Sequence, residues 1–210
     1  MKREMSPDAI GFRTARLGMV TRAISLLAAV LILITVTTDR SHALGSKEKT
    51  PEEQAAEIQK KAVSEYNDGV KRMEKARAIG VKGDSAYAYN YRATSDAKAR
   101  KEYEKAVEKF NKATELDPKL ADAYNNLGYC YRKLGELDKS LAAYEQAITL
   151  DPKLDRAREY RGETFLALNQ LDKANEELEY LKKAQSPYAD TLALSIEAYQ
   201  LAKMQGAITK

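Results

Sequence analysis

The residue types that carry most enzyme chemistry are nearly missing from this 210-residue chain, which has one histidine, His42, and one cysteine, Cys130. Ser-His-Asp and Cys-His arrangements need a histidine beside the nucleophile, and a zinc site needs several Cys or His ligands. No G-x-x-x-x-G-K or G-x-G-x-x-G segment occurs, so a phosphate-binding loop is not encoded. The sequence therefore predicts a protein that is not an enzyme and that binds no metal, cofactor or small-molecule substrate.

Two weaker chemical features remain. Carboxylate pairs such as Glu176-Glu177 are common, but they stand among matching lysines, which favours solvated helix faces over acid–base catalysis. Cys130 lies between two tyrosines, and the sequence favours a buried, inert thiol there. The alternative is a disulfide between two chains, because a lone thiol in an oxidising compartment can pair in that way.

The first 43 residues have the layout of a secretory signal. Basic residues precede an uncharged run of 16 residues (23–38), and Ser41 and Ala43 then supply small side chains at the two positions that a signal peptidase reads. The run is shorter than the roughly 20 residues that span a bilayer. We therefore predict a signal peptide over 1–43, with an uncleaved signal anchor and a membrane tether through 23–38 as the alternative. Either arrangement exports the rest of the chain to a periplasmic or other extracytoplasmic location.

Without this segment the charge of the chain is almost balanced. Residues 1–43 hold six basic and three acidic residues, which leaves 29 basic and 28 acidic residues in the rest, a net charge of +1. A nucleic-acid partner would require a basic surplus or stripe, so no nucleic acid is expected. The absence of tryptophan and the small number of glycines (ten) make a β-sandwich or a glycine-looped nucleotide fold a poor match.

The remainder of the chain repeats with a period of 34 residues. The segment 117–120 (DPKL) returns at 151–154, Gly128 returns as Gly162, and Phe110 is followed at the same spacing by Tyr144. A fixed period of this length, with helix-forming residues between Asp-Pro breaks, is typical of a stacked array of helical hairpins.

The best unit closely resembles the tetratricopeptide repeat (TPR) family. Residue types of the TPR signature stand at its spacings: Tyr124, Leu127, Gly128, Tyr131, Ser140, Tyr144, Ala147 and Pro152. The resemblance implies an all-α fold of tandem antiparallel helical hairpins, a TPR α-solenoid, closed by a C-terminal capping helix. It also implies that Gly128 and Gly162 let the first helix of each hairpin approach the second closely. The unit from Asp155 departs from the signature, because Arg158 stands where the first aromatic residue belongs.

These observations predict the following organisation. A polar linker and helix start cover 44–57, a first TPR-like hairpin covers 58–120 with an insert at about 79–98, TPR units cover 121–154 and 155–186, and a capping helix and tail cover 187–210. The insert contains Tyr87, Tyr89 and Tyr91, and either a binding function or a simple tethered loop would explain it.

In a TPR array the first helices line the concave side, so the resemblance predicts a partner-binding face there. The predicted contact residues are Tyr66, Asn67, Asn126, Tyr129, Arg132, Arg156, Tyr160 and Glu163. Neighbouring positions on this face include Val70, Asn125 and Glu159. We expect Tyr129, Arg156 and Tyr160 to be partly exposed and to anchor a peptide through aromatic area and hydrogen bonds.

Two functions fit the sequence. One is an exported, non-enzymatic scaffold that binds a protein or peptide in its concave groove. The other is a membrane-tethered structural or assembly subunit that self-associates through the tyrosine-rich insert or the ends of the stack. TPR domains that clamp the carboxylate of a peptide's C-terminus use a Lys and an Asn on the first helix. This chain has Tyr66 and Val70 there, so it lacks a full clamp of that kind.

We predict that the exported protein begins at Leu44, because signal peptidases cleave after a small residue such as Ala43. The measurement is the intact mass of the protein recovered from its host. Recovery of the membrane-bound chain with Met1 retained would contradict cleavage and favour the signal anchor.

Overall fold

The computed structural model describes residues 49–80 and 93–206. These residues form seven α-helices and no strand: α1 (Pro51–Gly80), α2 (Ala97–Leu116), α3 (Ala121–Leu134), α4 (Leu137–Leu150), α5 (Asp155–Ala167), α6 (Leu171–Lys183) and α7 (Tyr188–Met204). Three predicted segments lie wholly or partly outside the described residues, namely the signal, the polar linker and the tyrosines of the insert. Within the described ranges, no helix is long and apolar enough to cross a bilayer.

Neighbouring helices pack as antiparallel hairpins, α1 with α2, α3 with α4 and α5 with α6. In the first hairpin, Gln59 near the start of α1 donates to Asp117 just after α2, at 3.1 Å. Further along, Arg72 donates to Glu102 near the start of α2, also at 3.1 Å. The final helix, α7, packs on both α5 and α6. The predicted all-α array of helical hairpins is therefore confirmed.

The helices end where local side-chain chemistry interrupts them. After α2 and after α4, the carboxylates of Asp117 and Asp151 each accept a hydrogen bond from the backbone N–H two residues later, at 3.0 Å in both turns. Proline follows each aspartate and cannot continue the helix. Gly135 ends α3 with a left-handed φ of 83°, a conformation that glycine adopts without strain. The repeated DPKL segment thus acts as a helix stop.

Two glycines permit close approach of the paired helices. A Cβ atom placed on Gly69 would lie 2.6 Å from Cε1 of Phe110, and one on Gly128 would lie 2.5 Å from Cε1 of Tyr144. Carbon atoms at that separation repel strongly, so each aromatic ring occupies space that only glycine leaves free. In the first two hairpins, the glycine of the first helix therefore accommodates the ring of the second.

The third glycine packs differently from the expectation. Gly162 lies against Leu192 of α7, with a would-be Cβ 2.7 Å from Cδ2, and not against the second helix of its own hairpin. In this hairpin, Arg158 and Arg161 both pair with Glu177 of α6. The ion pairs occupy the α5–α6 interface, and the glycine face of α5 meets α7.

We predict that Gly128→Leu lowers the free energy of unfolding, because its side chain would displace the buried ring of Tyr144. Overpacking of this kind costs about 1–3 kcal/mol or more, a large share of a total of about 5–15 kcal/mol. Thermal unfolding of the variant measures the effect. Ala142→Leu, on the exposed face of α4, is the matched control and should melt close to wild type. An unchanged midpoint for Gly128→Leu would contradict the packing described above.

Candidate functional site

The predicted contact residues all lie on the first helices of the three hairpins. Helix α1 carries Tyr66 and Asn67, α3 carries Asn126, Tyr129 and Arg132, and α5 carries Arg156, Tyr160 and Glu163. Asn67 is exposed, and Tyr66, Arg156 and Tyr160 are partly exposed.

The other four residues are buried: Asn126, Tyr129, Arg132 and Glu163. The expectation that Tyr129 would be partly exposed is therefore wrong. The physical reason is that side chains of adjacent first helices pair with one another across the face, by charge and by ring packing. Contact between any of the eight residues and a partner stays a prediction.

An ion pair lies at the centre of this face. Nη2 of Arg132 on α3 is 2.7 Å from Oε2 of Glu163 on α5, and both side chains are 0% exposed. The second carboxylate oxygen, Oε1, accepts a hydrogen bond from Oγ of Ser195 on α7 at 3.1 Å. Burial on its own lowers the pKa of Arg132, but the negative charge of Glu163 and the phenols of Tyr144 and Tyr129 together outweigh it and raise that pKa. Arg132 is therefore charged at every physiological pH.

Tyrosine rings surround the guanidinium group. The Cζ atom of Arg132 is 5.3 Å from the ring centroid of Tyr129 and 5.7 Å from that of Tyr160. These two rings pack on each other at 5.3 Å, and the ring of Tyr144 lies 6.2 Å from that of Tyr160. A cation over aromatic faces is stabilised by about 0.5–2 kcal/mol. Burial raises the pKa of Tyr129 and Tyr144 and brings that of Tyr160 to about 12, so the rings are neutral phenols.

A more exposed row of polar contacts flanks this cluster. Tyr66 accepts a hydrogen bond from Nδ2 of Asn126 at 3.3 Å, which links α1 to α3. Arg156 on α5 pairs with Asp122 on α3, with Nη2 3.1 Å from Oδ1 and side chains 39% and 54% exposed. The first contact is part-buried, whereas the second is at the surface, where solvent weakens it and a ligand can compete for the same groups.

Glu159 belongs to the same face but was not among the eight predicted contacts. It lies one turn before Glu163 and is buried, which, together with the charge of Glu163, raises its pKa to about 8. Sequence reasoning also missed the pairing of Arg158 and Arg161 with Glu177. The available clue was two arginines at the positions that Tyr124 and Leu127 hold one unit earlier.

The described residues offer little reactive chemistry. No group of three or more His, Cys, Asp or Glu within 49–80 and 93–206 is placed to hold a metal ion. Cys130 is buried, and burial raises the pKa of its thiol. A thiol in that state is a poor nucleophile, which agrees with the inert role expected for it.

Comparison with known families agrees with this geometry. A sequence profile of the tetratricopeptide repeat family matches residues 121–154, and a second profile, described as TPR repeat, matches residues 98–135. Residues 98–154 thus match tetratricopeptide repeats. TPR proteins typically act as non-enzymatic scaffolds that mediate protein–protein interaction. No curated protein matches the chain significantly.

We predict that Arg132→Met strongly destabilises the TPR array. The buried carboxylate of Glu163 would then keep only the hydroxyl of Ser195 as a partner. Removing one partner of a buried pair costs about 3–5 kcal/mol. The double variant Arg132→Met/Glu163→Leu should recover much of this loss, because it buries no charge. Urea unfolding of both variants makes the comparison. If Arg132→Met were as stable as wild type, the pair would not hold α3 to α5.

Proposed function

We propose that the protein is an exported scaffold that binds a segment of another protein along the first helices of its TPR units. The observation that carries the proposal is the row of exposed and partly exposed polar groups across them, namely Tyr66, Asn67 and the Asp122–Arg156 pair. These groups offer an amide, a phenol, a carboxylate and a guanidinium to an extended or helical segment. No covalent step is involved.

The buried cluster supports this function by fixing the positions of the exposed groups. Arg132 and Glu163 join α3 to α5 beneath the surface, so the two helices that carry Asp122 and Arg156 keep a fixed spacing. A surface that is ordered before binding loses less conformational entropy on association. An incoming carboxylate can replace Asp122 on Arg156, because that pair is exposed and its disruption costs little.

Export belongs to the same proposal and rests on the N-terminal sequence. The basic front, the apolar run at 23–38 and the small residues at 41 and 43 support delivery of the TPR units to an extracytoplasmic location. Since residues 1–43 lie outside the described ranges, the support is the sequence pattern alone.

A second candidate is self-association through α7, the end of the stack. Leu194, Leu201 and Met204 are 66%, 55% and 83% exposed, and their spacing of seven and three residues suits a helix-pairing seam. Glu197 and Lys203 flank the seam with opposite charges, which favours antiparallel pairing with a second copy about a two-fold axis. Light scattering on the full chain distinguishes the candidates, because a protein that stays monomeric at high concentration contradicts this one.

We predict that Arg156→Ala and Asn67→Ala weaken binding of peptides selected by panning a random phage-displayed library on the full chain. Truncation of an interface anchor costs about 2 kcal/mol or more, which corresponds to roughly a thirtyfold loss of affinity. Titration calorimetry with the selected peptides is the measurement.

The controls are charge reversals on second helices, Glu145→Lys on α4 and Lys182→Glu on α6, at exposed positions away from the polar row. They should bind as wild type and melt at the same temperature. Loss of binding in these controls, with normal binding in the Arg156 and Asn67 variants, would contradict the proposal. Failure to select any peptide would also contradict it.

A further inference from the structure

Glu159 is a buried acid without a partner. Its side chain is only 3% exposed, yet within residues 49–80 and 93–206 it accepts no hydrogen bond and forms no ion pair. Burial of a carboxylate is costly unless a cation or several donors compensate it. A positively charged donor at this position would therefore compensate the cost of burying the carboxylate.

The cations nearest to Glu159 already have carboxylate partners. Arg132, which faces it from α3, is 2.7 Å from Glu163, and Arg156 on its own helix is 3.1 Å from Asp122. The remaining charged neighbour that shifts its titration is Glu163, which repels a second negative charge. Three acids thus share two bases, and Glu159 is the acid that has no base of its own.

A second unpaired acceptor occupies the equivalent place one unit earlier. Asn125 on α3 precedes Glu159 by 34 residues, the length of the repeat, and α3 and α5 are in contact. Its Nδ2 donates to Asn126 at 3.3 Å, but its buried Oδ1 has no hydrogen-bond partner. Two acceptors one repeat apart, on adjacent first helices, therefore lack a hydrogen-bond donor.

The adjoining cluster shows which kind of group suits this environment. Arg132 is fully buried there because a carboxylate neutralises it and the rings of Tyr129 and Tyr160 lie within 5.7 Å of its Cζ atom. Glu159 lies close enough to Tyr160 for its charge to raise the pKa of that phenol, so a carboxylate and an aromatic ring are near each other here too. What this second place lacks is the cation.

We infer that the partner segment presents a Lys or Arg side chain to Glu159. This inference rests on the proposed function, and it specifies the chemistry of the segment. The incoming ammonium or guanidinium group would donate to the carboxylate. The proton that Glu159 holds in the free protein would pass to solvent, so binding exchanges a proton for a cation.

This exchange makes the affinity depend on pH. Because the pKa of Glu159 is raised to about 8, the free protein holds the acid largely protonated below that pH. Each binding event must then release a proton, and the affinity should fall up to about tenfold for each pH unit below 8. Above pH 8 the acid is already ionised, and the affinity should level off.

The experiment uses peptides selected from the random phage-displayed library on the full chain at pH 8.5. We expect the selected peptides to share one Lys or Arg. Replacing that residue with norleucine or citrulline, which keeps the chain length and removes the charge, should weaken binding by tenfold or more. Calorimetry from pH 6 to 8.5 should show tighter binding at higher pH.

Glu159→Gln is the decisive variant, because glutamine keeps the shape and cannot ionise. It should melt no lower than wild type, bind the charged peptide at least tenfold more weakly at pH 8.5, and show no pH dependence of binding between 6 and 8.5. Glu145→Gln on α4 is the matched control and should behave as wild type.

Two results would overturn the inference while leaving the proposed function standing. One is a set of selected peptides with no shared cation whose binding still depends on Arg156. The other is an equal loss of affinity in wild type and in Glu159→Gln when the cation of the peptide is replaced with norleucine or citrulline. Failure to select any peptide would overturn both the inference and the proposed function.

Discussion

The buried ion pair between Arg132 and Glu163 is the interaction on which the middle of the array depends. It joins the first helices of two units without water contact and, through the hydroxyl of Ser195, reaches α7 as well. A buried pair adds little stability over an apolar pair of the same shape, but it tolerates no loss of one partner. Its structural consequence is a defined register between α3 and α5, since a shift of one helical turn would leave two buried charges unpaired.

The third hairpin illustrates how polar pairs can replace apolar packing. Where the second unit places Tyr124 and Leu127 between its helices, the third unit has two arginines, and Glu177 of α6 receives both. The ring of Tyr180 adds a further partner, with the guanidinium Cζ of Arg158 3.6 Å from its centroid. The hairpin is retained, but its glycine faces α7. The capping helix is therefore part of the third unit's packing as well as a cover for the end of the stack.

This arrangement divides the first-helix face into two layers with separate roles. The buried layer of tyrosines, arginine and glutamate sets the spacing between helices. The exposed layer, represented by Asn67 and Arg156, is available to a partner. Glu159 lies between them, because it is almost buried but has none of the pairing that stabilises Glu163. In the proposed function, this acid would select the partner by charge as well as by shape.

The sequence by itself determined the fold class, the helical-hairpin array and most helix ends, because these depend on local chemistry. Asp-Pro stops the second helix of the first two hairpins and recurs after 34 residues, and in the same two hairpins a glycine leaves room for a ring. The resemblance to TPR arrays also indicated that the candidate residues lie on the first helices, and the structure places all eight there.

Only the tertiary structure decided which of those residues reach solvent and which pair with one another. Arg132 and Glu163 are 31 positions apart, and nothing in the local sequence of either indicates that they meet in a buried pair. Arg158 and Arg161 likewise look solvent-exposed until Glu177 is placed opposite them. Burial of a charged side chain depends on the partner that packing brings to it, and that partner belongs to another helix.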